Sequence, residues 1–265
     1  MEHKEAEFIR ASDILSQPYT IEKSDRISHA LEVMEKNNVN HLLVTNEGEL
    51  EGLLTKQGIA RTVGERASDY MVKPSSSLHV AKAMDENLIM ISGETPIGEV
   101  CRLMSDAEVE VLAVVNGQLT GWITFDEVVK TCKPSGYAGT IMEAPITCSP
   151  YDRVVHVRRR MIDENAWWMM AVDNDKLAGV VTESDIAKAL SKFRDLVKEK
   201  YQDARVRKII VDDVMTADVI SVWTNTPCEE VAAIMLEKDV EGVPVLDLND
   251  TLVGMITKNT ILKNL

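Results

Sequence analysis

The sequence predicts a mixed α/β (α+β) fold of four similar units, each strand–helix–strand–strand–helix, paired into two modules. Three observations carry that expectation. A string of glycine, two apolar residues and threonine recurs at Gly52–Thr55, Gly121–Thr124, Gly179–Thr182 and Gly254–Thr257, and four residues past each Thr stands an aliphatic, Ile59, Val128, Ile186 or Ile261. An apolar run beginning at Val39, Val109, Ala166 or Val240 precedes each string. Ahead of each run lies a stretch with apolar residues at helical spacing. Internal repetition is the first feature to settle in any sequence, and the uneven spacing of these copies argues for small domains with variable linkers.

The apolar run and the Gly-containing run are joined by turn residues, Asn46-Glu47-Gly48, Asn116-Gly117, Asp173-Asn174-Asp175 and Asn249-Asp250, which reads as a β-hairpin each time. The helix before each hairpin is expected to start from an N-cap at Asp25, Thr95, Asp152 or Thr226, with Pro96 and Pro227 in the first helical position. Thr226-Pro227-Cys228-Glu229 has capping-box spacing. In each helix a methionine follows the first apolar position by two turns: Ile27 to Met34, Ile97 to Met104, Val154 to Met161 and Cys228 to Met235. That offset puts both side chains on one face, where Met serves as core filler. Short extended segments lead each unit at Pro18–Ile21, Leu88–Ile91, Pro145–Cys148 and Val219–Val222. A unit this small struggles to bury a core alone. Repeats 1 and 2 are therefore expected to pair, as are 3 and 4, with a linker at Lys133–Gly136 and a charged helical connector at Ser191–Arg207. The units are expected over residues 11–64, 65–132, 137–193 and 208–265.

Composition narrows the function. Of 265 residues, 45% are hydrophobic, enough for a sizeable core. Asp and Glu number 43 against 29 Lys and Arg, giving a net charge of −14, which disfavours nucleic acid and anionic lipid as partners. No apolar run is long enough to span a bilayer, and the charged start MEHKEAEFIR lacks a signal core, so a cytoplasmic location is expected. Cys101, Cys132, Cys148 and Cys228 form no C-x-x-C pair, and the five His show no ligand spacing, so no metal site is expected. Phosphate-loop, dinucleotide and nucleophile-elbow signatures are absent, and no nucleophile–base pair is visible. The chain is not expected to be an enzyme, and no catalytic residue is assigned.

The element order, with Gly242-Val243-Pro244-Val245 and the Gly179–Asp185 string GVVTESD, resembles the cystathionine-β-synthase (CBS) domain. The resemblance runs four times over, from about Ala11 to Leu265. Four tandem copies and nothing else resemble the gamma subunit of AMP-activated protein kinase and its stand-alone archaeal relatives. The resemblance implies two Bateman modules, each a pseudo-twofold pair of repeats, which take adenosine-containing (nucleotide-type) ligands in clefts between paired repeats. It implies a regulatory sensor acting on a separate protein, with a homodimer as a further possibility, and no required cofactor.

In that family a Thr/Ser-x-x-Asp after the Gly string contacts ribose, since an ionised carboxylate accepts hydrogen bonds from vicinal hydroxyls. The four copies here are Thr55/Gly58, Thr124/Glu127, Thr182/Asp185 and Thr257/Thr260. Only the third matches fully, although Thr-x-x-Asp and Thr-x-x-Glu are also capping boxes. The resemblance places the ligand at Thr182, Asp185 and Val180, with an adenine slot from Val219, Ile220 and Val240, and Glu241 beside it. A weaker second cleft sets Thr124 and Glu127 against Pro18, Tyr19 and Val39, with Asn40 and His41. The fourth repeat's cleft sets Thr257 and Thr260 against Pro145, Ile146, Ala166 and Trp167. Nucleotide-binding members hold phosphate with His or Arg at positions that here read Asn40-His41, Glu110-Val111, Trp167-Trp168 and Glu241-Gly242. None is Arg or Lys. Polyphosphate is therefore disfavoured, and S-adenosylmethionine or methylthioadenosine fits better; AMP fits only if a basic residue reaches in from another repeat. Glu241 alternatively reads as a solvated surface charge. Of Trp167 and Trp168, one is expected in the core and one as a plug in an unused site, while Trp122 and Trp223 are expected in core or interface. The run Arg158–Arg160 is either solvated or a docking patch for an acidic surface. The competing reading is a scaffold that has lost its ligand, since three of the four motifs are degraded.

Overall fold

The computed structural model describes residues 9–66, 78–164, 166–186, 188–189 and 208–265. The expected connector Ser191–Arg207 lies outside them. Each repeat forms a three-stranded sheet in which a short lead strand pairs parallel with the first strand of an antiparallel hairpin. In repeat 1 these are β1 (Thr20–Glu22), β2 (His41–Asn46) and β3 (Glu49–Thr55), with α2 (Ile27–Asn37) between β1 and β2. Repeat 2 has β4 (Met90–Ile91), α4 (Ile97–Asp106), β5 (Val111–Val115) and β6 (Leu119–Thr124). Repeat 3 has β7 (Thr147–Cys148), α7 (Val154–Asp163), β8 (Trp168–Asp173) and β9 (Lys176–Thr182). Repeat 4 has β10 (Val222–Trp223), α8 (Cys228–Lys238), β11 (Gly242–Leu246) and β12 (Leu252–Thr257). A helix follows each hairpin: α3 (Lys56–Arg66), α5 (Phe125–Thr131), helical residues 183–186, and α9 (Lys258–Leu262).

The hairpin turns hold left-handed residues where the sequence supplied Asn, Asp or Gly: Gly48 at φ 89°, Gly117 at 80°, Asn174 at 49° and Asp250 at 60°. The four helical methionines are fully buried or nearly so, at 0–2% exposure. The helix starts differ from expectation by one residue. Arg26, Pro96, Arg153 and Pro227 are the N-caps, so both prolines stand just outside the helix in extended conformation. The reason is that Asp25, Asp152 and Thr226 bond backward, accepting from the backbone N–H of Glu22, Ser149 and Trp223, and so close the preceding turn. The Thr226–Glu229 capping box does not form, and Glu229 pairs with Lys133 at 2.6 Å.

Paired repeats exchange their leading segments. Residues before β1 pack on repeat 2: the short helix α1 (Ala11–Ile14) donates from Ala11 and Ser12 to the carbonyls of Thr95 and Gly93, and Ser16 bridges to Trp122. The segment before β4 packs on repeat 1, through Leu78, Val80 and the Leu53–Asp85 bridge. Module 2 repeats this, with α6 (Ala138–Ile141) and Glu143 on repeat 4, and Ile209, Val211 and Thr216 on repeat 3.

The recurrent glycine marks each crossing. A Cβ on Gly52 would lie 2.5 Å from the Asp85 carbonyl oxygen, on Gly121 2.9 Å from Ser16 O, on Gly179 2.7 Å from Thr216 O, and on Gly254 2.5 Å from the Met142 sulfur. Each glycine also pairs with the residue at which the hairpin register shifts. In the first three strings the glycine thus meets the partner's backbone, where a larger residue does not fit, and in the fourth it meets the Met142 side chain.

Repeats 1 and 3 have their own cores, while repeats 2 and 4 share one that also takes in Ala11 and Ala138. Asn40 reaches Asp239 across the modules at 2.7 Å, and the Arg61 guanidinium lies 5.3 Å from the Trp167 ring centroid. The four repeats therefore close a ring, 1–2–4–3. Trp122 is buried as expected, but Trp223 is 42% exposed on a sheet edge and is no part of the core. The Arg158–Arg160 run is largely neutralised on its own helix, Arg159 by Asp163 at 3.0 Å and Arg160 by Glu164 at 3.1 Å. Gly52→Ala should destabilise the fold by about 1–3 kcal/mol through overpacking, whereas Gly98→Ala, in a helix with nothing within 4 Å of the new methyl, should stabilise it by about 0.5–1 kcal/mol. Urea unfolding of both variants reads the contrast, and equal effects would contradict the crossing contact.

Candidate functional site

Each crossing leaves a seam between a Gly-x-x-Thr strand and the partner's leading segment, and three of the four seams are open. The seam at Thr182 holds a cavity of about 440 Å³, walled by Val180, Thr182, Val219, Ile220, Val240 and Glu241 together with Trp167, Trp168, Thr216, Asp218 and Pro244. Six of the seven residues expected there share this wall. Asp185 does not line it. Its Oδ2 accepts from the Thr182 backbone N–H at 3.0 Å and from the Thr182 hydroxyl at 2.6 Å, while its own N–H donates to that hydroxyl at 3.1 Å. This is a complete capping box, and Oδ1 takes none of these bonds. Lys56, Gln57 and Ala60, on α3 of the other module, close the cavity's inner end.

The seam at Thr55 is the most spacious, about 870 Å³, and Asn40 and His41 open onto it together with Lys56, Arg61 and Lys82. The seam at Thr257 is about 370 Å³ and is lined by Ile146, Ala166, Trp167 and Thr257. The seam at Thr124 is packed with protein. Trp122 occupies the place where the other repeats have Leu53, Val180 and Met255, and Tyr19 meets it edge-on with ring centroids 6.0 Å apart. Glu127 accepts from Ser16 Oγ on one oxygen at 2.8 Å and caps Thr124 with the other. The structure therefore does not join Asn40 and His41 to Thr124 and Glu127 around one open cleft.

The first residues of the hairpins converge where the open seams meet. Lys258, 9% exposed at its side chain, bridges Glu241 at 3.0 Å and Glu110 at 3.3 Å, and His41 Nε2 lies 3.3 Å from Glu110. Glu241 is thus held in a charged knot between repeats and is not a solvated surface residue. Burial, reinforced by Glu110, pushes the Glu241 carboxyl up to about 8 despite Lys258. Burial alone would lower the Lys258 ammonium, but Glu110 and Glu241 outweigh it and hold the ammonium above its ordinary value. Burial lowers His41 to about 4, so it is neutral at physiological pH. Trp167 and Trp168 are both half-buried and both line cavities, so neither is core, and Trp168 lies against Gly242, where a Cβ would come within 3.0 Å of its ring.

The model for the CBS domain matches residues 11–65, 80–133, 138–192 and 211–265. The chain belongs to the CBS-domain family. Proteins of this family are regulatory modules, and some are carried within enzymes. The chain is 25% identical to the uncharacterised protein MJ1225 of Methanocaldococcus jannaschii over 92% of this chain and 94% of that protein. The crystal structure of MJ1225, put forward as an archaeal homologue of the AMP-activated kinase gamma subunit, superposes with a TM-score of 0.75 at 21% identity, covering 96% of this chain and 99% of that one. A Pyrococcus horikoshii protein of similar extent, covered over 96% of this chain and 99% of its own, gives 0.63 at 19% identity.

Sequence reading of the four CBS repeats missed Lys56 and Lys258. Both directly follow the motif threonine, at a position that reads Lys56, Phe125, Glu183 and Lys258 across the repeats. That column, compared across copies, was the available signal. No group of three or more His, Cys, Asp or Glu among the described residues could hold a metal ion.

The two shifted groups act oppositely on stability. A carboxyl with a raised folded pKa stabilises fully below its unfolded value and loses that contribution as pH climbs toward about 8. A histidine with a lowered folded pKa destabilises at low pH, and that cost disappears as pH rises from about 4 to about 6.5. Glu241→Gln should remove a fall in unfolding free energy between about pH 4.5 and 8, and His41→Asn should remove a rise below about pH 6.5. Denaturation at a series of pH values tests both, and unchanged profiles would refute the burial of these groups.

Proposed function

We propose that the protein is a small-molecule sensor that binds an adenosine-containing ligand between CBS repeats 3 and 4 and thereby controls a separate protein in the cytoplasm. The observation that carries this reading is the 440 Å³ cavity at Thr182. Its walls offer a planar base an apolar slot from Val219, Ile220, Val240 and Pro244. They offer a ribose the Thr182 hydroxyl, with the carboxylate of Asp185 directly behind it. Charge then selects among adenosine compounds. Among the described residues of the wall, Glu183 and Asp218 outnumber one cation, Lys56, and Glu241 adds negative charge as it ionises toward about pH 8, so a triphosphate meets more repulsion than attraction in a partly desolvated cleft. A neutral or cationic adenosyl compound suits it better.

Control follows from where the cavity ends. Because α3 of module 1 closes a cavity otherwise built by module 2, a bound ligand touches both modules and favours whichever arrangement completes those contacts. Ligand-free protein should melt at a higher temperature with methylthioadenosine or S-adenosylmethionine, by an amount that grows with concentration, and much less with ATP. Asp185→Ala should weaken ligand binding at least tenfold, beyond the roughly 0.5–2 kcal/mol that losing a cap costs the fold. No shift with any adenosine compound would favour the scaffold reading, which the packed seam at Thr124 already satisfies locally.

A further inference from the structure

We infer that the ligand of the repeat 3–4 cleft ends in an α-amino acid group, its carboxylate met by Lys56 of the opposite module and its ammonium met by Glu241. The inference rests on the adenosyl reading above and extends it to the far end of the ligand. The base and ribose features lie at Val219, Ile220, Val240 and Thr182. The residues that this cavity shares with the neighbouring ones mark its inner end: Gln57, Trp167 and Glu241 wall all three, and Lys56 walls two. Whatever extends from the ribose toward the ring centre therefore meets these side chains.

One of them, Lys56, is a cation without an ion-pair partner among the described residues, and another, Glu241, is a buried acid that shares one ammonium with Glu110 and ionises fully only when more positive charge comes beside it. The Lys56 ammonium makes no ion pair among the described residues, although the chain carries an excess of acid. Glu241 has only a share of Lys258, whose ammonium also serves Glu110, and the adjacent His41 is neutral. Two acids sharing one ammonium leave room for a second cation, which would ionise Glu241, and an unpaired lysine leaves room for an anion. An α-amino acid carries both charges on one carbon. A phosphate would satisfy Lys56 but bring no cation to Glu241, and a methyl group would answer neither. Because Lys56 begins α3 in module 1, the amino-acid end would bind across the module boundary.

S-adenosylhomocysteine and methylthioadenosine form the test pair, since both are thioethers of adenosine with no charge on sulfur and only the first has the amino acid. By calorimetry, S-adenosylhomocysteine should bind at least tenfold more tightly. Lys56→Gln, on an exposed residue, should bring its affinity close to that of methylthioadenosine while moving the latter less than twofold, and Lys56→Arg should retain most of the difference. Equal binding of the two compounds to the unaltered protein, or a Lys56→Gln loss that is the same for both, would overturn the inference and leave the adenosyl reading standing. If neither compound nor any other adenosine derivative binds, the adenosyl reading fails and this one with it.

Discussion

Everything in this molecule depends on a close crossing of the glycine strand by the partner's leading segment. At Gly52, Gly121, Gly179 and Gly254 the partner's leading segment passes close enough that a methyl group would overlap a carbonyl oxygen or a side chain. That contact lets each repeat complete its neighbour, so a unit too small to bury a core alone becomes half of a stable pair. It also creates the seams. A seam is open or filled according to the residue just after the glycine: Val180, Leu53 and Met255 leave space, while Trp122 with Tyr19 fills it. One side chain per repeat thus decides whether a crossing becomes a cavity or a piece of core.

The second constraint is electrostatic and sits where the open seams meet. Placing Glu110 and Glu241 together in a partly buried centre would be costly without a cation, and Lys258 supplies it. Because Glu110 belongs to repeat 2 and Lys258 to repeat 4, the same contact joins the modules, and Lys258 also lies 5.7 Å from the Phe125 ring centroid of repeat 2. The centre is therefore occupied by the protein's own charges. A strongly anionic ligand end would have to compete with two carboxylates for one lysine.

The local features were legible in the sequence and the lateral ones were not. Hairpin turns at Gly48 and Asn174, buried methionines at Met34 and Met235, and the pairing of repeats follow from periodicity and turn chemistry that act within a few residues. The helix starts slipped by one because Asp25, Asp152 and Thr226 had two uses for the same oxygen, capping forward or closing a turn backward, and spacing does not choose between them. The wall of the Thr182 cavity was read from a family pattern, yet its inner end was not, because Lys56 comes from the other module and lies far away in sequence. Glu127 shows the same limit. Its motif looks like a degraded ribose contact, and with one oxygen already capping Thr124 the other is taken by Ser16, a residue contributed by the exchanged segment.

The shared walls carry the argument from site to output. Gln57, Trp167 and Glu241 each bound three cavities at once, so a group that moves one of them in the Thr182 seam alters the shape of the Thr55 and Thr257 seams. Trp167 also carries the Arg61 guanidinium of module 1 on its ring, which makes it a mechanical contact between repeats 1 and 3. The packed seam at Thr124 sits apart from this junction and pins repeat 1 to repeat 2. Module 1 is pinned at a filled seam and repeats 2 and 4 are joined by a common core, while repeats 1 and 3 meet through Arg61 and Trp167. On the proposed function, a ligand that engages Trp167, Glu241 and α3 touches repeats 3, 4 and 1 together, which would turn a binding event in one module into a change in how the two modules meet.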